Sequence, residues 1–234
     1  MQIPNIGLLF ASLIIGIWLF TLHHALFHHE VNPYTSLPLL IFLNHLYTGL
    51  FITAHDSIHG VVCKWPWLNN AIGSFCLMVF AGFDYTYLRE EHWRHHANAG
   101  LIKDDPDFHS GNPKFAHWFL SFMLNYMSIG QVSRLLMIVC SLLYMGAPIQ
   151  NAALFMAVGG ISSAVCLFYF GTYLPHRPDE GELERPDNFR TLEKGDNRLT
   201  SFLKSYNFGC HSEHHANPKI PWWALYDAHC NMSD

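Results

Sequence analysis

Three histidine clusters constrain this chain more than any other feature: His55-x3-His59, His92-x2-His95-His96 and His211-x2-His214-His215. Each spaces its imidazoles at i, i+3 or i, i+4, so on a helix each cluster projects its rings from one face. Neutral imidazole is the commonest metal ligand, and eight of them exceed what one four-coordinate zinc takes. They suit two metal ions held side by side. No Glu-x-x-His pattern accompanies them, which sets the chain apart from the carboxylate-rich di-iron sites of soluble helix bundles. Whatever the fold, it has to bring three distant segments to one place.

The segments between the clusters are apolar. Half of the 234 residues are hydrophobic and 13% are charged, against about a quarter charged in ordinary soluble proteins. The reading is a single domain over residues 1–234, all-α and integral to a membrane. A net charge of −5 with no basic stripe gives no reason to expect a nucleic-acid partner. Cys63, Cys76, Cys140, Cys166, Cys210 and Cys230 form no C-x-x-C pair and no disulfide framework. Before the first apolar run there is no basic residue, and after it no small-residue cleavage site, so Ile6–Leu22 reads as a retained span.

Four stretches are long and apolar enough to cross a bilayer: Ile6–Leu22, Leu37–Ala54, Val132–Met145 with its flanks, and Ala152–Leu174. Asn70–Phe83 and Phe115–Tyr126 are short and read as interfacial or re-entrant helices. Four crossings bring all three clusters to one side of the membrane, whereas one further crossing would separate them. Segment 23–36 and the turn at 146–150 hold no Lys or Arg, so all thirteen basic residues fall on the histidine side. The positive-inside rule makes that side cytoplasmic, here the cytoplasmic face of the inner membrane. His23, His24, His28 and His29 fall at the opposite end and read as solvated or interfacial. His45 lies within a span, roughly 15 Å from His55 along a helix, too far to ligate with it.

The spacing of the clusters resembles that of the integral-membrane, histidine-rich di-iron oxygenases: acyl desaturases, membrane hydroxylases and carotenoid ketolases. Attack on an unactivated C–H bond needs a redox-active metal with open positions, which zinc does not supply. Each ligating imidazole also needs its second nitrogen oriented. Asp56, Glu91 and Glu213 stand beside or within the clusters, and Asp84, Asp104, Asp105 and Asp107 share one region. Asp56 and Asp107 are the preferred orienting acids, with loop solvation the plain reading for most of the others. His176, just beyond the last span, is by spacing either a ligand or an ordinary helix-end residue. His109 is open between loop solvation and an orienting role, and His117 and His229 are read as non-ligands.

Four strings narrow the resemblance. LYTGLFITAHDSIHG (46–60), DDPDFHSGNP (104–113), LFYFGTYLPHRP (167–178) and HSEHHANPKIPWW (211–223) are similar to the bacterial beta-carotene ketolase family, in order and interval, from about residue 44 onward. The resemblance implies a four-span architecture, two Fe2+ ions, and oxidation of C4 in a beta-ionone ring. By analogy it makes His176 a metal ligand beside His55, His59, His92, His95, His96, His211, His214 and His215. The chain departs from the family at Asn207, where histidine is common.

Two hydroxylations at one allylic carbon followed by loss of water would give the ketone, taking beta-carotene to echinenone and canthaxanthin. O2 and an external electron-transfer protein, such as a ferredoxin, are implied. The chain itself shows no G-x-G-x-x-G fingerprint, haem motif or iron–sulfur cysteine set. A carotenoid ring hydroxylase or a lipid desaturase on the same scaffold is the nearest alternative. A membrane metal transporter would place ligands mid-span, and a zinc hydrolase would turn over without O2. Phe51, Phe83, Tyr85, Trp93, Phe168, Tyr169, Phe170 and Tyr173 suit either a polyene tunnel or core packing. Trp222 and Trp223 read as an interfacial anchor.

Overall fold

Proline and short polar side chains start several of the helices. The computed structural model describes residues 6–184 and 196–232, and among these there is no strand. The helices are α1 (Ile6–Phe27), α2 (Pro33–Ile58), α3 (Pro66–Ala81), α4 (Tyr85–Asn98), α5 (Phe115–Tyr126) and α6 (Ile129–Tyr144). They are followed by α7 (Ile149–His176), α8 (Arg198–Ser205), α9 (His211–Ala216) and α10 (Trp222–Met232). Pro33 and Pro66 sit in the first turns of α2 and α3, where a missing N–H costs nothing. Asn32 Oδ1 accepts from the Thr35 N–H at 3.1 Å and Ser128 Oγ from the Gln131 N–H at 3.1 Å, capping α2 and α6. Asn197 and Thr200 close a reciprocal capping box on α8. Much of segment 179–198, read from sequence as a solvated loop, lies outside the described residues.

By length and composition α1, α2 and α7 can each cross a membrane. Two pairs of shorter helices, α3 with α4 and α5 with α6, reach the same apolarity only when each is taken together, so the candidate spans number three to five. Outward-facing Leu9, Leu13, Ile17, Phe20, Ile41, Leu136, Met137 and Ile161 give these helices apolar outer surfaces, as hydrocarbon-facing helices have.

The chain groups into two compact units. The first takes residues 1–84 and 128–164, and the second residues 85–127 and 165–234, with the division falling inside α7. In the first unit Tyr47 of α2 packs edge-on against Trp18 of α1 (5.6 Å) and Phe80 of α3 (6.1 Å). Thr48 pairs with Ser163 at 2.9 Å and Asn44 donates to Ser162 at 2.8 Å, tying α2 to α7 through small polar residues. Gly82 ends α3 in the left-handed region (φ 71), and a Cβ there would meet the Gln131 carbonyl at 2.8 Å. Arg134 Nε in turn donates to the Gly82 carbonyl at 2.7 Å.

The second unit is built on aromatics. Phe108, Trp118 and Phe168 are buried together, with Phe115, Phe119, Phe122 and Tyr173 packed around them. Trp118 Nε1 donates to the Asp107 carbonyl at 2.8 Å, which fastens α5 to the loop that follows α4. Phe168 and Tyr173 therefore serve as core here, as does Tyr85, whereas Trp93 is exposed. Within α7, Ala152–Val158 and Tyr169–Tyr173 wind as π-helix. The second of these precedes Pro175, which cannot donate to the carbonyl four residues back and pushes that turn open. Trp222 is buried against Phe202 (5.9 Å) and Tyr206 (5.1 Å), so it is a packing residue rather than an interfacial anchor. Pro221 turns it inward at the start of α10, and Asn207 Nδ2 donates to its carbonyl at 3.2 Å.

Candidate metal centre

Four imidazoles of the second unit converge: His95 from α4, His176 at the end of α7, and His211 and His215 from α9. Their ligand nitrogens all lie within 4.8 Å of one another. His176 Nε2 and His211 Nε2 are 2.7 Å apart, and His95 Nε2 and His215 Nε2 3.2 Å. Beside them a second set forms, with His96 Nε2 at 3.1 Å from His92 Nε2 and 3.0 Å from His214 Nε2. The sets adjoin, since the rings of His96 and His215 are 4.3 Å apart. In the first unit His55 and His59 lie on consecutive turns at the end of α2, both buried, with ring centroids 4.7 Å apart.

This arrangement splits two of the sequence clusters that were expected to act from one face each. His92 and His96, one turn apart, go to one set, while the intervening His95 goes to the other. His211 and His215 face His95, while His214 faces His96. On a helix, i+3 and i+4 differ by about 100° in direction. Two neighbouring histidines can therefore serve two neighbouring ions.

The donor set fits metal. Burial holds the His96 imidazole down to about 3 and His211 well below its ordinary range, helped by the neighbouring imidazoles, so both offer lone pairs. Burial also works against charge on His95, but Asp105 and Asp107 outweigh it and raise that group. Asp105 Oδ1 lies 2.8 Å from His95 Nδ1 and also accepts from the Asp107 N–H at 2.9 Å. Its Oδ2 accepts from the Gly100 N–H at 2.9 Å. A carboxylate so held keeps the proton on Nδ1 and points the Nε2 lone pair at the other three rings.

The sequence reading preferred Asp56 and Asp107 for this work. Asp56 Oδ1 lies 3.5 Å from His55 Nδ1. Asp107 Oδ2 is 3.8 Å from His95 Nδ1, and its Oδ1 accepts from the Tyr126 hydroxyl. Burial pushes the Asp107 carboxyl up to about 6, against the pull of His95 and with the repulsion of Asp105. Nothing in DDPD distinguishes Asp105 beforehand; only the turn back to Gly100 singles it out. Glu91 pairs with Arg94 at 3.0 Å, and Glu213 accepts from His229 Nδ1 at 2.8 Å. His109 is fully buried, tilted against Phe108 (4.2 Å) and edge-on to Trp118 (5.0 Å), and its Nδ1 accepts from the Gly111 N–H at 3.2 Å.

Phe208 stands between α7 and α9, with its ring 5.3 Å from that of His211 and 5.9 Å from that of His214. A Cβ on Gly171 would come within 2.4 Å of the Phe208 ring. The glycine of FYFGTYLPH thus lets α9, with its candidate ligands, close on α7.

The fatty acid desaturase family model matches residues 32–145 and 129–234. A beta-carotene ketolase of Haematococcus lacustris is 39% identical, over 96% of this chain and 78% of its own length. This chain belongs to the beta-carotene ketolases of the fatty acid desaturase family. Other members are similar over nearly all of it: the zeaxanthin 4-ketolase of Chlamydomonas reinhardtii is 41% identical over 93% of this chain and 50% of its own. The beta-carotene ketolase of Paracoccus sp. (strain PC1) is 35% identical over 95% of this chain and 91% of its own. The family resemblance read from four short strings therefore extends through the whole chain and to algal as well as bacterial members.

Proposed function

We propose that this chain is an O2-dependent beta-carotene 4-ketolase. The observation that carries the reading is similarity over nearly all of this chain to beta-carotene ketolases, among them ones named for the 4-position, in a chain whose histidines gather into adjoining sets. The centre is taken to hold two iron ions. His95, His176, His211 and His215 serve one, and His92, His96 and His214 serve the pair's other side. On their i, i+4 pattern and burial, His55 and His59 supply the remaining ligands. Two bound irons supply the electrons that reduce O2 to an oxidant able to take hydrogen from carbon.

This chain's residues hold the centre and exclude water from it. Asp105 orients His95, Phe208 packs against His211 and His214, and His95, His176 and His211 are themselves buried. Each hydroxylation of the ring C4 methylene consumes one O2, two electrons and two protons and releases one water. A second round at the same carbon gives the geminal diol, which loses water to form the ketone. The electrons come from an external protein such as a ferredoxin, and the carotenoid from the bilayer. The interleaved units act as one domain in the inner membrane, with four spans and the histidines on the cytoplasmic side, as the distribution of Lys and Arg supports.

Pigment chromatography after expression in cells making beta-carotene tests the assignment. Echinenone followed by canthaxanthin is the expected outcome, with a 4-hydroxy intermediate that is itself converted. Accumulation of 3-hydroxylated zeaxanthin without ketone would make the chain a ring hydroxylase. New double bonds in membrane acyl chains, with carotenoids untouched, would make it a desaturase.

A further inference from the structure

A second group of histidines lies outside the centre, at the end of α1 in HHALFHH (23–29). His23 and His28 are exposed, and their Nε2 atoms face each other at 3.4 Å. That separation is long for a hydrogen bond from ring N–H to nitrogen. Two imidazole nitrogens bound to one ion at about 2.0–2.1 Å sit roughly 2.8–3.0 Å apart at an octahedral angle and roughly 3.3–3.4 Å at a tetrahedral one. The gap between these rings is therefore the bite of a two-imidazole chelate.

The backbone that carries the pair is held from both sides. The His28 N–H donates to the His24 carbonyl at 2.9 Å, extending the last turn of α1. Asn151, buried at the start of α7, donates from Nδ2 to the Ala25 carbonyl at 2.7 Å and to the His29 carbonyl at 2.8 Å. His29 is turned aside, its Nε2 2.9 Å from Ser36 Oγ, which leaves His28 to face His23. Binding would thus demand little reordering of the chain, the condition under which a surface histidine pair gains affinity.

We propose that His23 and His28 form a surface site for a divalent transition-metal ion of the imidazole-preferring kind, Cu2+, Ni2+ or Zn2+, completed by water. Two neutral imidazoles with open positions select these ions over Mg2+ and Ca2+, and the affinity order should place Cu2+ above Ni2+ and Zn2+. Occupancy fastens the last turn of α1 to the segment leading into α2. The site is independent of the ketolase reading, since neither residue belongs to the centre.

The test uses the full chain, untagged, purified in detergent with its centre loaded. Equilibrium dialysis against micromolar Zn2+ followed by elemental analysis should show one more Zn2+ bound in the unaltered protein than in His23→Ala/His28→Ala. Each single replacement should weaken that equivalent at least ten-fold, while His117→Ala, which removes an exposed histidine elsewhere, leaves it in place. Any exchange at the centre occurs in all variants alike and cancels in the difference. Equal Zn2+ binding by unaltered protein and double variant overturns the proposal, as does an extra equivalent that survives His23→Ala undiminished.

Discussion

At His95 one carboxylate decides how the imidazole is presented. Asp105 accepts a hydrogen bond from His95 Nδ1 at 2.8 Å while two backbone N–H groups hold it in place, so its negative charge and its direction are both fixed. Asp105→Asn keeps an acceptor but loses the charge, and is expected to cost about 10–100-fold in metal affinity or turnover. Iron content and ketone formation, measured on the same preparation, check this. Full iron loading with unchanged turnover would remove Asp105 from the site. Asp107→Asn is expected to do less, because Asp107 stands 3.8 Å from the same nitrogen and is occupied by Tyr126. His95→Ala should abolish turnover outright, since it takes a ligand from a set whose other three rings remain.

Among the elements, the approach of α9 to α7 is the sensitive one. Gly171 leaves room for the Phe208 ring, and a methyl group there would meet it at 2.4 Å. Phe208 is buried and flanked by two candidate ligands, so the strain would fall on His211 and His214. Gly171→Ala is expected to destabilise the protein by about 1–3 kcal/mol and to lower its iron content. Phe208→Leu in the same chain should restore part of both, and thermal unfolding in detergent with iron analysis would show it. A Gly171→Ala protein that keeps its iron and its melting temperature would refute the contact. Elsewhere three helices begin three or four residues before the apolar stretches read from sequence, at Pro33, Pro66 and Ile129, because proline and the Ser128 cap start them ahead of the apolar run. The π-helical turn before Pro175 was not legible, since the chain accommodates that proline only in the context of a long packed helix.

For the whole molecule, the ligand set calls for close to two irons per purified, active chain. Elemental analysis giving a stable value of one, or activity retained with zinc alone, would sink the two-iron reading. Chelation of the metal should abolish turnover, and Fe2+ with reductant should restore it. Orientation is a separate prediction: with cysteine introduced at His28 or at Arg190, the first should label from outside the cell and the second only from the cytoplasm. Labelling of position 190 from outside would invert the topology drawn from the thirteen basic residues.

The sequence by itself determined the helical class, most of the apolar segments and eight clustered histidines through hydropathy and ligand spacing, and its resemblance to the ketolases in four short strings pointed to the family and to His176, because all of these are properties of short stretches. It did not say which imidazole faces which. His95 parts from His92 and His96, and His214 from His211 and His215, because a partner set is defined by where two helices meet. The sequence reading preferred Asp107, and Asp105 stood with the loop acids until the loop folded back on Gly100. Phe168 and Tyr173 read as core or interface before tunnel, and their packing on Trp118 makes them core. Tertiary structure alone could decide these points, since each depends on how the chain folds back on itself and not on the spacing within one stretch.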